Sequence, residues 1–164
     1  MNKLILSTAI ATALLAAGSA YAAEKSASFQ VSATVTDNCT VATNNLNLGD
    51  FRGDNDLTAT ADVEVRCSAA TDYTVALSQG SGTFAARELS GSGGTLAYNL
   101  YADAGHNTVW GDGTGGTVAA EGVGGGMTLP VAHTVYGRLL AADNGNAVIE
   151  AGNYSDTIVA TVTY

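Results

Sequence analysis

Residues 26–36 read SASFQVSATVT and alternate without a break. Ala27, Phe29, Val31, Ala33 and Val35 fall on one side; Ser26, Ser28, Gln30, Ser32, Thr34 and Thr36 fall on the other. A period of two held over so long a run is a β-strand signal. At about 3.3 Å per residue the stretch reaches roughly 35 Å. It stands near the start of the chain, where segments are loose unless something ties them down. Such a strand needs a groove to lie in. That groove belongs either to its own chain or to another copy.

Residues 1–22 have the form of a secretory signal. Lys3 supplies the positive start, residues 4–17 are apolar, and Ala20-Tyr21-Ala22 is an A-x-A cleavage site. The mature chain is then expected to begin at Ala23. The competing reading is an uncleaved membrane anchor. The apolar core is short for a bilayer, which needs about 20 residues, and the small residues at its end suit a peptidase. No later segment is apolar enough to span. The expectation is an exported, soluble protein.

Removing the signal from the 164 residues leaves 142, enough for one domain with a fair core. Lys3 goes with it, so five basic residues face fifteen acidic ones, a net charge of −10. This argues against nucleic acid or an anionic membrane as a partner, since phosphate binding needs clustered Lys and Arg. Glycine is abundant, proline occurs once, and Thr, Val, Ala and Tyr are prominent. That composition fits short strands joined by glycine-rich turns, not helices. Cys39 and Cys67 are the two cysteines. In an exported chain a disulfide is the default, and two cysteines without a nearby histidine cannot complete a zinc shell.

After the leading stretch the apolar phase runs on through Cys39 and Val41. Thr43-Asn44-Asn45 shifts it to Leu46 and Leu48. Gly49-Asp50 and Gly53-Asp54-Asn55-Asp56 mark turns. Residues 57–67 alternate cleanly and form the clearest internal strand; Tyr73, Val75 and Leu77 predict a shorter one. Residues 79–94 are rich in glycine and serine and read as a long loop or a weak hairpin. Leu96, Tyr98, Leu100 and Ala102 predict the next strand, and Met127 to Leu139 another. Between them lie Trp110 and two glycine runs. Asp143-Asn144-Gly145-Asn146 reads as an Asn-Gly turn. The chain closes on Ile158, Ala160, Val162 and Tyr164 in one phase. About six strands follow the leading one, where an immunoglobulin-like sandwich wants seven. A sandwich lacking a strand exposes core and leaves an open edge.

Catalysis needs nucleophile, base and orienting group within reach of one another. His133 sits on an alternating inward face and reads as a packed core histidine; His106 reads as a solvated turn residue. No G-x-S-x-G frame supports a serine nucleophile. Asp54 and Asp56 lack the calcium-loop spacing and read as a solvated turn. The glycine runs have no following lysine and helix to make a phosphate loop. Trp110 and the seven tyrosines read as core or cross-strand aromatics before sugar-stacking groups. The chain is expected not to be an enzyme, with no cofactor, metal or small-molecule substrate.

One set of motifs carries a resemblance. It comprises Asn38-Cys39-Thr40-Val41, Leu48-Gly49-Asp50-Phe51, Leu96-Ala97-Tyr98-Asn99-Leu100-Tyr101 and Val109-Trp110-Gly111-Asp112-Gly113. Val135-Tyr136-Gly137-Arg138-Leu139 and Gly152-Asn153-Tyr154-Ser155-Asp156-Thr157 complete it. In this order the set resembles the spore coat protein U domain, a family that includes the pilins of archaic chaperone–usher pili. The pattern departs at Ala97, where proline is expected, and over residues 113–126.

The resemblance implies an all-β, incomplete immunoglobulin-like sandwich over residues 37–164, lacking its last strand. Residues 23–36 would be a donor extension, with Ala27, Phe29, Val31, Ala33 and Val35 as the donor residues. Ile158, Ala160 and Val162 would line the acceptor groove. A periplasmic chaperone would fill the groove first, and an outer-membrane usher would exchange that strand for the extension of the next subunit. Head-to-tail donation does not close, so it yields a filament. Three readings follow: a pilus subunit supporting adhesion and biofilm formation, a secreted spore-coat-like structural protein, and a small secreted binding module or hydrolase. Surface filaments favour the first, a spore-coat location the second, and a monomer stable without chaperone the third.

Overall fold

The computed structural model describes residues 22–145 and 149–164. The expected signal therefore lies, but for Ala22, outside the described residues, as does Asn146 of the expected Asn-Gly turn. The structure divides into two units, Met1–Thr34 and Val35–Tyr164. The described part of the first carries no strand and is exposed throughout. Phe29 is 86% exposed and Val31 82%. Alternation alone does not make a strand, because a strand also needs a partner for its backbone.

Among the described residues the second unit holds nine strands. They are β1 (Cys39–Thr43), β2 (Leu57–Cys67), β3 (Asp72–Leu77), β4 (Arg87–Gly91), β5 (Gly94–Tyr101), β6 (Ala120–Val123), β7 (Val131–Leu139), β8 (Tyr154–Ser155) and β9 (Ala160–Thr163). One helical turn, α1 (Ala141–Asn144), follows β7. A six-stranded sheet runs β1-β2-β7-β5-β4-β8, and a three-stranded sheet runs β6-β3-β9, both antiparallel. The long strand β2 is the spine of the larger sheet, paired to β1 on one side and β7 on the other. Its alternation places Val63, Val65 and Cys67 inward against Val75 and Leu77 of β3, Val135 and Leu139 of β7, and Trp110. The architecture is an all-β, incomplete immunoglobulin-like sandwich.

Four departures from the sequence expectation have local causes. Residues 79–94 contain β4, which turns through Ser92-Gly93 into β5 and buries Arg87 completely. β6 lies inside the glycine-heavy stretch: Gly122 faces Tyr73 so closely that a Cβ would collide with its ring. β7 starts at Val131 and not at Met127, because the Leu129 amide closes a turn on the Gly126 carbonyl. Leu46 and Leu48 form no strand but pack on the core over Gly137.

The departure at Ala97 also finds its reason. The Ala97 amide donates to Asn144 Oδ1 at 2.7 Å, and Asn144 Nδ2 returns a bond to the Ala97 carbonyl at 3.0 Å. Proline has no amide hydrogen to make the first of these. The buried Asn144 side chain thus pairs with β5 as a strand would.

Candidate functional site

The smaller sheet ends at β9, which pairs with β3 in the register Leu77↔Ala160 and Val75↔Val162. The Ser78 amide donates to the Val159 carbonyl at 2.9 Å, which places Ser78 and Val159 opposite each other. In an antiparallel pair both backbone groups of a residue point to the same side, and successive residues alternate. Val159 points toward β3. Ile158, Ala160 and Val162 therefore turn their amides and carbonyls to the open side, where β9 has no neighbour among the described residues. Their side chains are half-buried against the core, while Val159 and Tyr164 are exposed.

Beside this edge runs a groove of about 1180 Å³. Its walls include Leu77, Leu89, Tyr98, Leu139, Ile158 and Ala160. The three residues named from the sequence are thus brought to one edge. Ile158 and Ala160 line the groove itself, and Val162 lies beyond its lining, opposite Val75. On the other flank stands β1. Val41 lies opposite the fully buried Val65 and shares its phase, yet it is 41% exposed. Thr43, next in that phase, lines the groove. An inward-phase valine left open marks a missing cover. The apolar phase through Cys39 and Val41 was its sequence signal, but only the fold shows how much of Val41 stays exposed.

β1 is fixed at its first residue. Cys39 and Cys67 are bonded to each other and directly opposed in the β1–β2 ladder, with Cα atoms 4.1 Å apart. Thr71 Oγ1 donates to Asp37 Oδ1 at 2.8 Å, tying down the residues just before.

Tyr98 belongs to the groove wall, and its hydroxyl donates to Asp156 Oδ2 at 2.6 Å. Burial, and then this bond, push the Tyr98 hydroxyl far above its ordinary range, so it stays a donor. Arg87 is buried without a carboxylate partner. Its guanidinium donates to the Ser78 carbonyl, the Trp110 carbonyl and Asn99 Oδ1, and burial lowers its pKa.

The two histidines are packing groups. His133 Nε2 lies 2.9 Å from the Tyr73 hydroxyl, and burial holds its pKa down. His106, expected to be solvated, is half-buried edge-on between Tyr101 and Tyr136 at 5.2 and 6.4 Å. Asp56 accepts the Ala141 amide at 2.8 Å and so joins its turn to α1.

Residues 25–161 match the Spore Coat Protein U domain. The chain belongs to that family. A curated relative, Protein U of Myxococcus xanthus, is 32% identical over 118 residues, covering 66% of this chain and 62% of the relative. A similar solved structure is the CsuC–CsuE chaperone–tip adhesion subunit pre-assembly complex from the archaic chaperone–usher Csu pili of Acinetobacter baumannii. It is 21% identical with a TM-score of 0.57, over 80% of this chain and 40% of that one. This Spore Coat Protein U domain thus spans less than two thirds of either protein. The structural likeness extends the pilin-type fold to it.

Proposed function

We propose that this chain is a structural subunit of a cell-surface pilus, assembled by donor-strand exchange through a chaperone–usher pathway. The observation that carries the reading is the pairing of two incomplete parts. The open edge at Ile158, Ala160 and Val162 has apolar side chains toward a groove and backbone groups without a ladder. Residues 27–35 have alternating apolar side chains, exposed, and likewise no ladder. A strand from another copy satisfies both by β-augmentation. Burying Phe29, Val31 and Val35 is worth about 1.5–3 kcal/mol each. Because donor and acceptor sit at different places on one chain, the contact is heterologous and grows as a filament.

In this reading residues 1–22 export the chain, residues 23–36 are the donor extension, and residues 37–164 are the acceptor domain. A periplasmic chaperone occupies the groove before polymerisation, and an outer-membrane usher catalyses the exchange. The similar Csu complex joins a chaperone to a subunit of an archaic chaperone–usher pilus, which supports those partners. The filament serves adhesion and biofilm formation. The role is structural, not enzymatic. A secreted spore-coat-like role is the second reading, favoured by the similarity to Protein U.

The test is a gel of sheared cell-surface protein, unheated against boiled. Donated strands give a ladder that collapses to monomer on boiling. A single monomer band in both lanes, or the protein recovered from a coat fraction with no filaments, refutes the pilus reading.

A further inference from the structure

β9 has four residues, whereas the alternating segment proposed to dock beside it spans residues 27–35. Residues 156–159 supply the missing length of edge, and mostly side chains hold them. The Ser78 amide makes the first rung beyond β9, to the Val159 carbonyl. In a regular ladder the Val159 amide would return a bond to the Ser78 carbonyl. Arg87 takes that carbonyl, with Nε at 3.3 Å and Nη2 at 2.9 Å. The Ser78 hydroxyl stands in and accepts the Val159 amide at 2.9 Å.

Asp156 is tied in turn. Its carboxylate accepts the Tyr98 hydroxyl at 2.6 Å, the Ser81 amide at 3.0 Å and the Thr157 amide at 2.8 Å. Gly80 makes room: its φ is +62°, and a Cβ there would stand 2.7 Å from Ile158 Cδ1 and collide with the Asp156 carboxylate. None of these bonds uses the backbone of Ile158. The arrangement holds a segment extended while leaving its outward amide and carbonyl without a strand. Unpaired edge backbone is a liability unless a strand comes to it.

We propose that Ser78, Tyr98 and Asp156 are positioning residues that hold residues 156–159 as the first half of the acceptor edge, with Arg87 bracing Ser78. This rests on the donor-strand reading and deepens it. The acceptor is then twice as long as β9, and its first half is set by side chains.

The experiment uses the mature chain loaded with a synthetic peptide of residues 26–36. Amide hydrogen exchange is followed at Ile158, Ala160 and Val162, together with peptide dissociation. In the wild type, loading slows exchange at all three amides. Tyr98→Phe keeps the ring in the groove wall and removes the hydroxyl; Ser78→Ala removes the stand-in acceptor. Each variant is expected to lose protection at Ile158 alone and to release peptide roughly fivefold to tenfold faster, as for one lost hydrogen bond. Ser78→Thr restores both. Wild-type protection confined to Ala160 and Val162, or variants that keep Ile158 protected, overturns the inference while sparing the donor-strand reading. Equal loss at all three positions makes the residues merely structural and overturns it too. A wild-type chain that the peptide protects nowhere refutes the donor-strand reading, and this inference falls with it.

Discussion

The Tyr73 hydroxyl and His133 Nε2 meet at 2.9 Å, joining β3 of the small sheet to β7 of the large one. The imidazole stands edge-on to Tyr73 and to Trp110, with ring centroids 5.7 and 6.2 Å away. It is a part-buried polar contact that joins the two sheets.

The partial burial of that imidazole makes stability depend on pH. Burial lowers the His133 pKa from its ordinary 6.5 in the folded chain. As pH falls, the unfolded chain takes the proton first, so stability is fully present above about 6.5 and is lost as pH falls from there toward the folded pKa. The carboxylates of Asp103 and Asp112, held below 3.8 by bonds to Thr108 and Thr114, act in a lower window. Urea midpoints of peptide-loaded chain should fall between about pH 7 and about pH 5. In His133→Gln that fall should largely disappear. An equal fall in the variant would assign the dependence elsewhere.

Arg87 is the polar centre on which β4, β5 and the Trp110 segment converge. Removing it takes the donor from the Ser78 and Trp110 carbonyls, while Asn99 Oδ1 keeps only the Leu100 amide. An unsatisfied buried acceptor costs about 1–3 kcal/mol. Arg87→Met is therefore expected to destabilise by on the order of 3 kcal/mol or more. Arg87→Lys should recover only part, since one ammonium cannot serve a fork of acceptors. Denaturant unfolding of both variants measures this; a loss below about 1 kcal/mol contradicts it.

Protein isolated without reductant should contain no free thiol. The bond between Cys39 and Cys67 closes a separation of 28 residues, worth roughly 3.5 kcal/mol in the chain-entropy model. It also pins β1, the flank of the groove. Cys39→Ser and Cys67→Ser should lower subunit yield by similar amounts. Labelling of both cysteines in unfolded, unreduced protein would refute the pairing.

The two faces of the leading segment should behave differently. Val31→Asp carries a charge that must be desolvated on assembly, at a cost of several kcal/mol, and should abolish filaments. Gln30→Asp lies on the other face and should leave them nearly normal. If the segment served only its own fold, Val31→Asp would also lower the yield of chaperone-bound subunit. Here that yield should stay normal, and the variant should still accept a wild-type donor peptide. Comparing chaperone-bound and filament yields for both variants decides it.

Residues 38–164 made alone should aggregate, because the edge at Ile158, Ala160 and Val162 presents backbone and apolar surface together. Light scattering during refolding, with and without the peptide of residues 26–36, is the measurement. A clean monomer that gains no stability from the peptide would contradict the open-groove reading.

Much of this chain was legible in one dimension. A period of two is a local property, so the alternation of residues 57–67, of Tyr73, Val75 and Leu77, and of Leu96, Tyr98 and Leu100 gave the inward faces directly. So did Ile158, Ala160 and Val162, and the pairing of the two cysteines was expected from their number and the signal-like start of the sequence. What the alternation left open was partnership, because a ladder is made between segments far apart in the chain. Only the fold shows that β9 ends its sheet among the described residues and that Val41 stays partly open. The same holds for β4 and β6, short strands in glycine-rich sequence that are defined by their pairing with β5 and β3. Arg87 is the sharpest case. A charged residue in a serine- and glycine-rich stretch reads as surface, and burial becomes tolerable only when three acceptors from distant segments converge on it. Residue order was enough to say which side chains face inward. Which edges stay open was settled in three dimensions, because hydrogen-bond partners are supplied by the fold and not by the neighbouring residue.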